Sequence, residues 1–293
     1  MTERNTGFIG LGAMGAPMAR HLAQAGRLLG VANRSHDKAV ALAAECGVAA
    51  FQDLSELASA CTIVFVCVSA DQDVKDVVRA LRPGLKPGAI VVDTSTVSAA
   101  TAQELAAELA PSGVGFLDAP LTGGVEGARN GKLSVMVGGG PEVLERVRGA
   151  IACFAARITH MGPVGAGQST KAVNQVLVAG IAEAVCEGLA FGEALGLPRE
   201  SLLTVLTGGA ANSWFLEKRG RSMLDGNYEG GFKLGLLHKD LLIVREMLRG
   251  LGVHSTIVNA ALADYSELKA QGRGDEEISA LVRLKRAQYP SQA

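Results

Sequence analysis

Gly10-Leu11-Gly12-Ala13-Met14-Gly15 lies between an apolar run, Gly7–Gly10, and a helical pattern, Met14–Ala25. Strand, glycine turn and helix in that order leave few folds open. The first glycine permits a tight turn, the second lets backbone N–H groups approach a pyrophosphate, and the third allows close strand–helix contact. The helix N-terminus that follows favours negative charge. Alone, such a spacing is an ordinary glycine turn; here both flanks meet the context a dinucleotide loop requires.

Further apolar runs fall at Leu28–Ala32, Ile63–Val68, Ile90–Asp93, Val114–Asp118 and Ser134–Val137, separated by amphipathic segments such as Lys38–Cys46, Thr101–Leu109 and Glu142–Phe154. This alternation implies βαβ units and a mostly parallel sheet. Runs such as IVFVCV lack two-residue alternation, as expected of strands covered on both faces. After Gly167 the pattern changes. Val173, Val176, Leu177, Ile181, Val185 and Leu189 keep a sustained helical spacing. Gly180, Ala184, Gly188 and Gly192 form a ridge of small residues that admits a neighbouring backbone from the same chain or a partner subunit. The expected fold is α/β: a Rossmann-type, doubly wound, mostly parallel sheet in residues 1–165, then an all-α domain in residues 166–293, joined by a long interdomain helix.

A chain of 293 residues buries enough surface to hold a core without staples. Its net charge of −1 supplies no attraction to nucleic acid or an anionic membrane, so neither is expected as a partner. Cys46, Cys61, Cys67, Cys153 and Cys186 are odd in number and form no CxxC pair, which reads as reduced core residues of a cytoplasmic protein. The start, MTERNTGFIGLG, reads as a strand rather than a leader, and the uncharged stretch Ala172–Ala182 is too short to span a bilayer. His21, His36, His160, His238 and His254 are scattered without ligand spacing, so no metal site is expected.

An NAD site places an acid at the end of the second strand to hold the ribose 2′-hydroxyl. That position reads Asn33-Arg34-Ser35, a set of donors suited to a 2′-phosphate, with Lys38 one turn on. NADP(H) is therefore favoured over NAD(H), with Asp37 left as the acid should Arg34 be only a loop residue. Val68 with Ser69, and Thr94-Ser95-Thr96, follow strands where open α/β sheets bind ligands. Hydroxyl residues there often just cap the next helix. Ser98 or Thr101 can do that capping, leaving Ser95 and Thr96 to meet a ligand.

Asp118-Ala-Pro-Leu-Thr122-Gly123-Gly124 ends a strand in a turn whose glycines present backbone donors, a cradle for a carboxylate or merely a turn. Lys171 and Asn174, three apart, share one face near the start of the long helix. A lysine at a domain crevice, its pKa lowered by desolvation, serves to protonate an alkoxide or deprotonate a hydroxyl, with Asn174 orienting the lysine or the oxygen. Trp214 is open between pocket and core, and Asp275 is expected to cap the last helix.

Taken together, FIGLGAMGAPMARHL, DTSTVS, DAPLTGGVEGARNGKLSVMVGG, GAGQSTKAVNQ and LHKDL span almost the whole chain, and the sequence resembles the β-hydroxyacid dehydrogenases. That family includes 3-hydroxyisobutyrate dehydrogenases, tartronate semialdehyde reductases, and succinic or glyoxylic semialdehyde reductases. The resemblance implies Lys171 as general acid/base with Asn174 beside it, and Thr122, Gly123 and Gly124, with Ser95, as substrate-binding residues. It also implies Lys239 near the nicotinamide and substrate, joining Gly10–Gly15, Asn33, Arg34, Ser35, Val68 and Thr96 in the cofactor set. Thr122 stands where the family usually has serine. Gln175, where many members have asparagine, and the tail GRGDEEISAL resemble the tartronate semialdehyde reductases, whereas Asn33-Arg34-Ser35 resembles the NADP-using semialdehyde reductases. The implied activity interconverts a small 3-hydroxy (or 4-hydroxy) acid and its semialdehyde. Separately, the apolar helical domain leads to the expectation of a homodimer or homotetramer built through it. An imine reductase of the same architecture, or a non-catalytic dinucleotide-binding module, are the alternatives; an intact Lys171–Asn174 pair argues against both.

Overall fold

A computed structural model describes residues 4–289, which divide into two compact units between Lys171 and Ala172. The first is an α/β unit around one nine-stranded sheet. In chain order the elements are β1 (Thr6–Ile9), α1 (Gly15–Gln24), β2 (Leu28–Ala32), α2 (His36–Cys46), β3 (Ala49–Ala50), α3 (Leu54–Ala60), β4 (Ile63–Val66), α4 (Asp71–Leu81), β5 (Ile90–Asp93) and α5 (Ala99–Leu109). There follow β6 (Gly115–Asp118), β7 (Leu121–Thr122), α6 (Gly124–Arg129), β8 (Leu133–Gly138), α7 (Pro141–Ile151) and β9 (Ala155–Gly162). Strands run β3-β2-β1-β4-β5-β6-β8-β7, with β9 on β8. The pairs from β3 to β6, and β8 with β9, are parallel; β8 is antiparallel to β6 and β7.

The order reverses at β1, the doubly wound arrangement that sets a ligand crevice outside the carboxyl ends of the strands. β1, β4 and β5 are buried throughout because helices cover both faces. One apolar cluster, including Phe8, Met18, Phe65 and Phe154, packs on one face, with Phe65 edge-on to Phe154 at 5.5 Å. Another, including Val64, Val91, Leu105 and Leu109, packs on the other. β4 stops at Val66 rather than Val68, because Cys67 and Val68 turn out against the glycine loop. β9 carries little apolar burial and was not among the apolar runs expected as strands.

The second unit is helical. α8 (Ala166–Ala194) begins in the first unit and continues into the second. It is followed by α9 (Arg199–Thr207), α10 (Trp214–Leu224), α11 (Leu234–Gly250), α12 (Thr256–Ala270) and α13 (Val282–Ala287). Ala179, Ala182, Cys186, Leu189 and Ala190 of α8 face the core, beside Leu237, Leu241, Val258 and Tyr265. By length and composition α8 is long and apolar enough to cross a membrane. It outruns the short apolar stretch expected from Ala172–Ala182 because Glu183 is accommodated within it: the buried Lys285 bridges Glu183 and Asp264. Burial lowers the pKa of Lys285, but these carboxylates more than offset that and leave it raised. Val173, Leu177 and Ile181, part of the helical apolar spacing, are exposed. The small-residue ridge also divides: Gly192 abuts Leu202 and Gly180 meets Ile257, whereas Ala184 and Gly188 are exposed.

Two local expectations are corrected. Asp275 does not cap the last helix; it pairs with Lys233 at 2.7 Å, and Glu277 instead accepts the Ser279 N–H at the turn before α13. Trp214 is neither core nor enclosed: it is 55% exposed at the start of α10, with Arg219 over its ring. The five cysteines are free thiols, but only Cys61 and Cys186 are buried; Cys46, Cys67 and Cys153 are half-buried. Burial pushes the Cys61 thiol up to about 12 and Cys67 up to about 11, so neither is a thiolate at neutral pH.

At the end of β5, Asp93 is fully buried, and one carboxylate oxygen accepts the Ser95 N–H at 3.0 Å. Burial pushes its carboxyl up to about 6, against the hydrogen bonds from Ser95 and with the charges of Asp118 and Asp71 adding to the rise. A folded pKa above the unfolded value of about 3.9 means that the native state holds this proton more tightly. The stabilisation is complete below the unfolded value and is lost as pH rises through 6. Asp93→Asn removes the titration. Relative to that variant, wild type should lose about 2 kcal/mol of stability between about pH 4.5 and 7.5, read from denaturant melts. Parallel profiles for the two proteins would refute the burial argument.

Candidate active site

The glycine loop is sterically determined. Gly10 has φ +92°, and a Cβ on it would overlap the Cys67 carbonyl oxygen; a Cβ on Gly15 would overlap the Gly10 carbonyl oxygen. Gly12 faces open space. No side chain caps α1 at Met14, and its first turn holds no acid, so the helix N-terminus presents uncompensated positive potential beside the loop. That geometry fits a dinucleotide pyrophosphate. Asn33 supports the loop: its Oδ1 accepts the Leu11 N–H at 2.9 Å, and its Nδ2 donates to the Ser35 carbonyl. Arg34 projects from the end of β2 with its side chain 94% exposed, 3.8 Å from Asp73. Ser35 precedes α2 without capping it through its side chain.

Along the same edge of the sheet, Ser95 is buried, and its hydroxyl accepts the Val68 N–H at 2.9 Å, tying the loops after β4 and β5 together. Thr94 reinforces the tie by donating to the Val66 carbonyl at 2.8 Å. Thr96 is half-buried. Ser98, not Thr101, caps α5 by accepting the Thr101 N–H. Asp71 accepts from the Ser98 N–H and from both hydroxyls.

The next loop follows β6. Thr122 is half-buried, and Gly123 and Gly124 are exposed with φ +124° and +62°, so a side chain at either would be strained. Lys171, one turn and a half into α8, is 8% exposed, and its Nζ donates to the Leu121 carbonyl at 2.9 Å. The amine is thus brought to the residue immediately before Thr122–Gly124. Asn174 follows on the same helix, in the second unit. Its Nδ2 donates to Gln175 Oε1, and Gln175 Nε2 donates to the buried Asp240 at 2.7 Å. Lys239, on α11, pairs with Asp240 at 2.9 Å.

Two residues of this neighbourhood were given no role from sequence. Asp118 is fully buried, with one oxygen accepting the Gly165 N–H at 2.8 Å and the other the Gln168 N–H at 2.9 Å. Burial raises its pKa against those donors. Gln168 is 2% exposed; its Nε2 donates to the Ser95 carbonyl and its Oε1 accepts the Val97 N–H. Their partners are all main-chain groups, so no pairing of residue types advertises them.

Comparison with known proteins agrees along the length of the chain. Residues 5–162 match the NAD binding domain of 6-phosphogluconate dehydrogenase, and residues 165–285 match the NAD-binding domain of NADP-dependent 3-hydroxyisobutyrate dehydrogenase. The chain is 34% identical to the 2-hydroxy-3-oxopropionate reductase of Escherichia coli (strain K12) over 282 residues, 94% of this chain and 95% of that one. A solved structure of Mycobacterium tuberculosis 3-hydroxyisobutyrate dehydrogenase with L-serine superposes with a TM-score of 0.89 at 30% identity, covering 98% and 100% of the two chains. Psf3 in complex with NADP+ and 2-OPP gives 0.86 at 29% identity, covering 95% and 99%. An imine reductase from Pseudomonas sp. gives 0.66 at 20% identity, a likeness of fold alone. With two domain profiles in sequence and full-length relatives above 30% identity, the chain belongs to the β-hydroxyacid dehydrogenase family of NAD(P)-dependent oxidoreductases.

Proposed function

We propose that this enzyme is an NADP(H)-dependent reductase of small semialdehydes, interconverting a 3-hydroxy or 4-hydroxy acid and its semialdehyde with Lys171 as general acid/base. Tartronate semialdehyde with glycerate, and methylmalonate semialdehyde with 3-hydroxyisobutyrate, are the leading pairs. The observation that carries the proposal is the burial of Lys171 with its Nζ at the Leu121 carbonyl, adjoining Thr122–Gly124. An amine excluded from water at a glycine loop is where a proton donor would meet an oxygen whose carboxylate is bound by that loop.

The pyrophosphate would rest on Gly10–Gly15, and Arg34, with no acid in the Asn33–Ser35 turn, would take the 2′-phosphate. The nicotinamide, when bound, supplies or receives the hydride. The chain's own residues do the rest. Thr122 with the Gly123 and Gly124 main chain orient the carboxylate, and Lys171 delivers a proton to the alkoxide oxygen in reduction or removes one from the hydroxyl in oxidation. Asn174 holds the reacting oxygen or the lysine in register. Gln175 follows the pattern that resembles tartronate semialdehyde reductases and supports a C3 substrate. Five free thiols support a cytoplasmic, reducing setting. The exposed Val173, Leu177, Ile181 and Phe191 of α8 form an apolar stripe suited to a second copy, supporting a homodimer or homotetramer.

Lys171→Ala should lower kcat by on the order of 10²- to 10⁴-fold while NADPH still binds, as followed by fluorescence titration. Near-normal turnover would remove Lys171 from the chemistry. Arg34→Ala should weaken NADPH by on the order of tenfold or more and NADH little. Equal effects on both cofactors would remove Arg34 from the 2′-phosphate site. Wild type should be a dimer or tetramer by light scattering, and Leu177→Glu should shift it towards monomer; a wild-type monomer would refute the assembly.

A further inference from the structure

Gln168 joins several parts of the sheet's carboxyl edge. It is 2% exposed, and each polar atom of its amide has a main-chain partner: Nε2 donates to the Ser95 carbonyl at 2.9 Å, and Oε1 accepts the Val97 N–H at 3.2 Å. Its own N–H donates to Asp118 Oδ2. The contact is tight on the preceding residue as well, because a Cβ on Gly167 would lie 2.6 Å from the Asp118 carbonyl oxygen. The first turn of α8 is therefore pressed against the end of β6 and stitched to the loop after β5.

Lys171 lies three residues further on, about 4.5 Å along the axis and on the same face. Its Nζ donates to Leu121, three residues beyond Asp118. The contacts close a ring: Asp118 to Gln168 by hydrogen bond, Gln168 to Lys171 through one helical turn, Lys171 to Leu121 by hydrogen bond, and Leu121 back to Asp118 along the chain. Gln168 also ties this ring to the loop after β5, through the Ser95 carbonyl and the Val97 N–H. We propose that Gln168 is a positioning residue: by clamping the Ser95–Val97 main chain to the first turn of α8, it fixes where the Lys171 amine stands relative to the loops that hold the reactants. This rests on Lys171 as general acid/base.

The amide is the right group for the task. It supplies one donor and one acceptor to a carbonyl and an N–H two residues apart, which neither glutamate nor an apolar residue of similar length reproduces. Gln168→Met removes both bonds at similar volume. Gln168→Glu turns the donor into a carboxylate oxygen facing the Ser95 carbonyl, with Asp118 and Asp93 already nearby; once protonated, its O–H can donate again.

The test measures kcat, KM, the primary isotope effect with deuterated NADPH, and NADPH affinity for wild type, Gln168→Met, Gln168→Glu and Lys171→Ala. Misplacing the amine should lower kcat by on the order of 10- to 100-fold in Gln168→Met, with NADPH affinity within about threefold of wild type. In Gln168→Glu the kcat ratio to wild type should rise as pH falls, a recovery that a merely weakened fold would not show and that stays readable should Gln168→Met fail to fold. Two outcomes overturn the proposal with the lysine reading intact. One is Lys171→Ala inactive while both Gln168 variants keep kcat within about twofold; the other is losses in Gln168→Glu that do not vary with pH. Should Lys171→Ala itself retain turnover, the lysine reading fails first and the positioning role with it.

Discussion

A buried carboxylate holds this site together. Asp118 ends β6, and its two oxygens take the N–H groups of Gly165 and Gln168, the residues that lead into and open α8. A helix start leaves its first N–H groups without partners, and a charge-assisted bond to one of them is among the stronger polar contacts a protein can make. Because Asp118 is covered by protein, the pairing is not exchanged with water. The sheet edge, the glycine turn at 123–124 and the amine of Lys171 are consequently parts of one bonded unit rather than three neighbouring loops.

The same edge gathers most of the buried polar groups of the first unit. Asp93, Thr94, Ser95, Asp118, Gln168 and Lys171 are all buried, and all lie at or beyond the carboxyl ends of β5 and β6 or at the start of α8. A polar side chain under such cover is costly unless paired, and most of these pairs run to main chain: Thr94 to Val66, Ser95 to Val68, Gln168 to Ser95 and Val97, Lys171 to Leu121. Main-chain partners cannot change rotamer. The loops are thereby given a single arrangement, the kind of preorganisation that reaction at a fixed distance demands.

How much of this was legible follows from what leaves a mark in the residue pattern. The glycine loop, the parallel sheet and the helical second unit rest on apolar periodicity and on glycines at fixed offsets, and the fold follows them closely. β9 was not legible because Arg157, Thr159 and His160 lie at an edge where little is buried, so no apolar run forms. Asp118 and Gln168 were not assigned because their partners are peptide groups, present at every position and hence invisible as a pattern. Asp275 does not cap the last helix, which has no side-chain cap; Glu277, two residues on, instead closes the turn that precedes it. There, closeness in sequence could not tell an exposed ion pair from a buried acceptor. Val173 and Leu177 carry the right spacing for a core face and are nonetheless exposed, since periodicity identifies an apolar face without saying what covers it.

Ser95 shows why residue type and loop position are weaker guides than bonding. A hydroxyl just beyond a strand invites assignment to a ligand, yet this one accepts the Val68 N–H while its carbonyl receives Gln168. Both links serve the geometry of neighbouring loops. Val68 is drawn towards β5, Val97 towards α8, and the half-buried Thr96 lies between two anchored positions. A residue held on both sides by clamped main chain keeps a definite orientation. The rigidity of the carboxyl edge therefore resides in the peptide groups around the assigned site residues.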